Sequence, residues 1–183
     1  FRSMMKNKKT FTHTLFLIFL SALLLVLSYP PFNFWPGALI ALVPFFALIR
    51  RARGLGHAFL LGYMTGALFF FGLIFWLVHV IWIAPFFVVG IIALYWGFFG
   101  AGTYLIFSGL RKGEVLSYRG ILLQIIVIAS LWTTLEYIRT EIPLLSFGWA
   151  LLAYSQSYNR LFIQLADCIE AYGISFIAVV INL

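Results

Sequence analysis

Acidic side chains are scarce in this sequence, which limits the acid–base and ion-pair chemistry open to it. There are only five, and four of them lie in the last third of the chain. Glu136 and Arg139 are three residues apart, which places both on one face of a helix and allows an ion pair. The spacing leaves two interpretations open. The pair either fixes the end of a helix at an interface or shapes a pocket for a headgroup or another substrate.

The single cysteine, Cys168, is a nucleophile by type but stands in unfavourable surroundings. A reactive thiolate needs a nearby cation or a helix N-terminus, whereas Asp167 and Glu170 are the charged neighbours of Cys168 in the sequence. We therefore expect no catalytic role for it. One cysteine also excludes an internal disulfide framework.

Histidines and serines do not form a recognisable reaction centre either. His79 has no second histidine at metal-ligand spacing, and its tryptophan neighbours suit a residue at a membrane interface. Four serines in the last third of the chain have no adjacent histidine that could act as a base: Ser146, Ser155, Ser157 and Ser175. No Gly-rich phosphate-binding loop is present in the sequence. The sequence predicts no catalytic residue, no metal site and no cofactor in this chain.

The surroundings of these groups are overwhelmingly apolar. Of the 183 residues, 64% are hydrophobic and 9% are charged, whereas a soluble domain is about half apolar and about a quarter charged. A water-soluble fold of this size could not bury so much apolar surface. The net charge of +7 does not indicate nucleic acid, because the basic residues lie in short breaks between apolar runs.

The apolar runs predict an all-α fold, a polytopic transmembrane helical bundle. A helix needs about 20 residues to cross about 30 Å of hydrocarbon. We predict a cytoplasmic tail at residues 1–10 and a transmembrane domain at 11–183, with about six spans, the second short and the last truncated. The spans lie near residues 11–28, 36–49, 57–83, 85–110, 120–138 and 168–183.

Basic residues predict the orientation of this bundle. With the N-terminus inside, ten of the twelve Lys and Arg residues fall on the inner side, and only Arg139 and Arg160 fall outside. Such a bias sets topology, so we expect a cytoplasmic N-terminus. The first run also resembles a signal peptide. However, Pro30 and Pro31 follow it directly and lead into the next span, so we expect the first run to remain in the protein as a transmembrane helix.

Small residues recur in the third and fourth apolar runs at sequence spacings that are typical of contacts between helices. Gly62 and Gly66 have GxxxG spacing, and Gly97, Gly100 and Gly102 follow in the next run. Small residues allow helix backbones to approach in lipid. We expect these glycines to mark helix contacts rather than chemistry.

Residues 139–167 are less suited to form a transmembrane helix than the apolar runs on either side of them. It is aromatic, amphipathic and interrupted by Pro143 and Gly148, which favours a re-entrant or surface-lying segment on the periplasmic side. Irregular backbone is tolerated at membrane depth only where protein or water covers it. We therefore hypothesise a groove at the outer leaflet.

Four motifs follow one another along the chain: YPPFNFWP at 29–36, LWTTLEYIR at 131–139, FGW at 147–149 with YSQ at 154–156, and YGISF at 172–176. In this order they resemble the motifs of the apolipoprotein N-acyltransferase family, and the resemblance extends over residues 11–183. Gly148 and Ala153 depart from the family pattern, which often has proline and glycine there.

The resemblance implies a function in the inner (cytoplasmic) membrane of bacteria. Members of the family transfer an acyl chain from a phospholipid to the N-terminal diacylglyceryl-cysteine of a lipoprotein, through a thioester on a cysteine. That cysteine, with its glutamate and lysine, belongs to a nitrilase-like domain that this chain lacks, so we expect the 183 residues alone to be inactive. Five residues match family positions and are expected to line or support the entrance for lipid substrates: Glu136, Arg139, Trp149, Tyr154 and Gln156.

Two other functions remain open at this point. One is a polytopic transporter or channel, although no pair of broken helices recurs in two halves of the sequence, as transport folds often show. The other is a structural membrane subunit, for which the motif residues at the outer face would not matter to activity.

Overall fold

The structure is a computed structural model that describes residues 2–109, 118–142 and 147–183, with side chains from Thr10 onward within these ranges. Outside the described residues lie Arg111, Lys112, Glu114, Pro143 and Ser146. Within them the chain forms helices and no strand. The helices are α1 Arg2–Ser28, α2 Trp35–Ala38, α3 Leu42–Arg50, α4 Leu55–Ile74, α5 Ala84–Gly109, α6 Tyr118–Glu141 and α7 Arg160–Asn182.

Five helical segments of the described chain are long and apolar enough to cross a membrane. This confirms the predicted all-α transmembrane bundle. The segments are Thr10–Ser28, Leu55–His79, Ala84–Gly109, Tyr118–Glu141 and Arg160–Asn182. The second of them ends in a 3₁₀ turn, Phe75–His79, and a further 3₁₀ turn, Leu152–Gln156, precedes α7.

The short second run, 36–49, does not form one continuous helix. It divides into α2 and α3, with a break at residues 39–41. Pro44 lies in the first turn of α3, a position that proline tolerates because the amide it lacks would have no helical partner there. The last helix also differs from the predicted span, since it begins at Arg160 and has a kink at Glu170, where φ is 57°.

Side chains from two other helices bind the polar backbone atoms of the break. Asn182 of α7 accepts a hydrogen bond from the amide of Leu42 at 2.8 Å and donates one to the carbonyl of Ala38 at 2.9 Å. Ser21 of α1 donates to the carbonyl of Ala41 at 2.7 Å. Irregular backbone in a bilayer is stable only if protein satisfies it in this way.

The predicted glycine contacts between α4 and α5 are confirmed. A Cβ on Gly62 would lie 2.2 Å from the carbonyl oxygen of Trp96, and one on Gly100 would lie 2.6 Å from that of Ala58. The backbones of the two helices therefore touch, and no side chain fits between them. This contact compensates for the lack of a hydrophobic driving force between helices in lipid.

An aromatic core lies where α3, α5 and α6 meet. Phe45 of α3 stacks on Phe99 of α5 with ring centroids 5.5 Å apart. Trp132 of α6 contacts Phe99 edge to face at 4.8 Å and Trp96 at 5.0 Å. Edge-to-face geometry is the favoured arrangement for such rings, and it fixes the position of α6 against the rest of the bundle.

Contacts identify two ends of the bundle. At the basic end, Arg51 contacts His13 at 3.1 Å and Arg50 lies over the ring of Phe107 at 4.6 Å. At the opposite end, which we call the aromatic end, Trp76 stacks on Trp149 with centroids 5.4 Å apart.

We predict that Gly62→Ala destabilises the bundle by roughly 1–3 kcal/mol, because the added methyl group collides with backbone that cannot move aside. Unfolding by SDS in mixed micelles measures this. The matched control is Gly56→Ala in the same helix, where a Cβ meets nothing within 4 Å and stability should be unchanged or slightly higher. Equal effects of the two substitutions would contradict the close contact.

We also predict that Asn182→Leu lowers stability by roughly 1–3 kcal/mol for each backbone group it leaves unsatisfied. The same unfolding measurement applies. Ile181→Leu, at the exposed neighbouring position, should be nearly neutral. If both variants unfold like the parent chain, the Asn182 hydrogen bonds do not hold the break between α2 and α3.

Candidate functional site

Two buried charged residues near the end of α6 organise the aromatic end. Glu136 is 4% exposed and Arg139 is 3% exposed. Both are directed to the loop before α7, residues 149–156, which we call the site loop. The guanidinium of Arg139 donates to the carbonyl of Trp149 at 2.7 Å and to that of Ala150 at 3.3 Å.

Glu136 binds the same loop with the opposite polarity. Its carboxylate accepts a hydrogen bond from the amide of Leu152 at 2.7 Å. The cation therefore binds carbonyl oxygens, and the anion binds an amide a few residues further along. Hydrogen bonds with a charged partner are stronger than neutral ones, so the two residues fix the course of the site loop across the end of the bundle.

Polar groups from other elements complete the attachment of the site loop. The hydroxyl of Tyr29, which follows α1, donates to the carbonyl of Leu151 at 2.9 Å. Burial raises the pKa of that hydroxyl well above its ordinary range, so it stays a neutral donor. Ser175 of α7 accepts from the amide of Ala153 at 3.0 Å, and Gln156 donates to the carbonyl of Trp35 at 3.0 Å.

One residue of the site loop has a strained backbone. Ala150 has a φ of 61°, a left-handed conformation that costs a non-glycine residue about 1–3 kcal/mol. Its carbonyl accepts from Arg139 at 3.3 Å, and Tyr29 lies at 3.4 Å from the same oxygen. These contacts stabilise a turn that the sequence alone would disfavour.

Two predicted site residues are exposed on the surface of this arrangement. Trp149 is 52% exposed and Tyr154 is 47% exposed. The ring of Trp149 stacks on Trp76 at 5.4 Å and contacts Phe147 at 5.6 Å. We call these three rings the aromatic patch. The five predicted residues thus divide into three buried ones that bind backbone (Glu136, Arg139 and Gln156) and two that face outward.

The space beneath the site loop is small. A cavity of about 20 Å³ lies among Tyr29, Trp132, Glu136 and Arg139. That volume suffices for about one water molecule and is far below that of a lipid headgroup. The cavity beneath the site loop therefore cannot hold a headgroup.

The sequence of most of the chain matches one family model. Residues 21–183 match the model of the apolipoprotein N-acyltransferase N-terminal domain. The chain belongs to the apolipoprotein N-acyltransferase family. Curated members of this family are similar along nearly the whole chain, in agreement with the resemblance of the motifs.

Two of these apolipoprotein N-acyltransferases illustrate the extent of the match. The enzyme of Geobacter metallireducens is 34% identical over 170 residues, which are 89% of this chain and 31% of that protein. Apolipoprotein N-acyltransferase 1 of Treponema denticola is 33% identical over 180 residues, which are 96% of this chain and 31% of that protein. The chain thus spans about a third of the length of the curated relatives it matches.

Sequence reasoning missed several residues that build the site in this member of the apolipoprotein N-acyltransferase family. Tyr29 and Ser175 were assigned no role of their own, although they belong to the motifs at 29–36 and 172–176, and Trp76 appeared only as one of the tryptophan neighbours of His79. Tyr29 and the carbonyl that it binds are 122 positions apart in sequence, and no spacing rule signals such a contact. Cys168 is exposed, as is His79.

We predict that Glu136→Leu speeds hydrogen exchange at the amide of Leu152 by about tenfold or more, because the substitution removes its acceptor. Hydrogen exchange with mass spectrometric or NMR detection measures this. Glu136→Gln retains an acceptor oxygen and should preserve most of the protection.

Glu141→Leu is the matched control for that experiment. Glu141 lies on the same helix, is exposed, and accepts from the hydroxyl of Tyr172 instead of the site loop. Leu152 should therefore exchange as in the parent chain. If Glu136→Leu left the exchange at Leu152 unchanged, the carboxylate would not hold the loop.

Proposed function

We propose that this chain is the membrane part of an enzyme that transfers an acyl chain from a phospholipid to the N-terminal diacylglyceryl-cysteine of a lipoprotein. In this proposal it lies in a bacterial inner membrane with its N-terminus in the cytoplasm. The distribution of basic residues supports that orientation, because Arg50, Arg51 and Arg53 lie together at one end. The aromatic end then faces the periplasm.

The observation that carries the proposal is the exposed aromatic patch. Its residue Trp149 belongs to the site loop, whose backbone is held by buried charged side chains. Donor and acceptor are both lipids, and aromatic rings bind at the boundary between hydrocarbon and water. Arg139 and Glu136 fix the backbone behind Trp149, so the ring does not need to be ordered when a lipid binds. A binding group held by buried supports loses less entropy on binding.

The proposed role of the chain is to anchor the enzyme and to present its lipid substrates. The thiol that would carry the acyl group as a thioester, with its glutamate and lysine, would lie in a part of the protein outside these 183 residues. Cys168 is exposed, and its neighbour in the sequence is the acidic Asp167, whereas a reactive thiolate needs a nearby cation. Transfer by the 183 residues alone is therefore not expected.

We predict that Trp149→Ala in the full-length enzyme raises the KM for the phospholipid donor about fivefold, the equivalent of one aromatic contact. The value of kcat should change less, because Trp149 is proposed to bind lipid and not to react. Acyl transfer to a diacylglyceryl peptide in proteoliposomes measures both constants, and Trp149→Phe should retain most of the affinity.

Trp82→Ala is the matched control, since Trp82 is 71% exposed at the same end of the bundle and is not part of the aromatic patch. It should leave both constants close to those of the parent enzyme. An unchanged KM in Trp149→Ala would remove the proposed lipid contact and favour a purely structural role for this membrane part.

A further inference from the structure

We propose that a groove at the basic end binds one anionic phospholipid from the adjoining leaflet. The groove lies between residues 10–18 of α1 and the first turns of α4, and it has a volume of about 760 Å³. The turn that follows α3 closes its polar end. It lies at the opposite end of the bundle from the site loop, so this inference goes beyond the proposed acyl transfer.

The polar end of the groove is formed by two arginines and two histidines. Arg51 and Arg53 come from the turn after α3, His13 from α1 and His57 from α4. All four side chains are exposed. None of the described residues that line the groove is an aspartate or a glutamate, so its charge is positive and uncompensated within the lining.

Hydrogen bonds determine which ring nitrogen of each histidine can donate. Arg51 Nη1 lies 3.1 Å from His13 Nδ1, and because a guanidinium can only donate, this nitrogen accepts. The backbone amide of Arg53 donates to His57 Nδ1 at 3.1 Å. The N–H of each ring is therefore on Nε2. The groove presents guanidinium and imidazole donors together, which suits the oxygen atoms of a phosphate group.

The rest of the groove is apolar and follows the two helices into the bundle. On α4, Leu60 and Met64 lie one and two turns beyond His57, and on α1 Leu15 and Ile18 follow His13. From Thr10 to Ile18 the groove is roughly 12 Å long, at 1.5 Å per residue. This length accommodates the first part of an acyl chain.

The positive polar end and the apolar remainder of the groove together determine which class of ligand fits it. A phosphate with an attached acyl chain satisfies both parts of the groove, whereas a soluble anion satisfies only the polar end. A choline headgroup would bring its own cation close to two guanidinium groups, which is unfavourable. We therefore assign the groove to an anionic lipid such as phosphatidylglycerol rather than to a zwitterionic one.

The test measures lipid binding by the full chain in neutral detergent. Native mass spectrometry should show one bound phosphatidylglycerol, retained in preference to phosphatidylcholine. In Arg51→Gln/Arg53→Gln the affinity for phosphatidylglycerol should fall by about tenfold or more, since each basic residue near a lipid surface contributes to its attraction for anionic lipid. Arg51→Lys/Arg53→Lys keeps the charge and should retain an intermediate affinity.

Arg119→Gln is the matched control, because Arg119 is exposed at the start of α6 and does not line the groove. Its affinity should equal that of the parent chain, and circular dichroism should show the same helix content in all variants. Equal binding of phosphatidylcholine, an unchanged affinity in the double glutamine variant, or equally tight binding of inorganic phosphate would each overturn the assignment.

Discussion

Two opposite charges, buried next to each other in an apolar bundle, bind the backbone of a single loop. An unpaired charge in a protein interior costs about 3–5 kcal/mol, so Arg139 and Glu136 need polar partners close by. The carbonyls of Trp149 and Ala150 and the amide of Leu152 supply them. The course of the site loop, and with it the direction of the aromatic patch, depends on this requirement.

The charged pair can act in this way only because α6 is held rigidly. Trp132, one helical turn before Glu136, contacts the rings of Trp96 and Phe99. Those two rings lie on α5, which is packed backbone to backbone against α4 at Gly62 and Gly100. Close packing replaces the hydrophobic effect between helices in lipid. The glycine contacts therefore support the aromatic core, and the core supports the site.

The sequence was most informative where one physical requirement acts on consecutive residues. Long apolar runs predicted the helices correctly because only a helix satisfies its own backbone in hydrocarbon, and closely spaced glycines predicted the contact between α4 and α5. The division of 36–49 into two helices was not predicted, because it depends on a partner 140 positions away. Likewise, the spacing of Glu136 and Arg139 indicated a shared helix face but could not reveal that both bind loop backbone.

The break between α2 and α3 has a consequence for the order in which the protein matures. Asn182 follows Leu42 by 140 positions, and a ribosome adds about 5–20 residues per second. At that rate, the nascent α2–α3 segment exists for about 7–28 seconds without Asn182, the side chain that binds the backbone of Ala38 and Leu42. The amide of Leu42 and the carbonyl of Ala38 therefore gain this partner only after α7 has been synthesised.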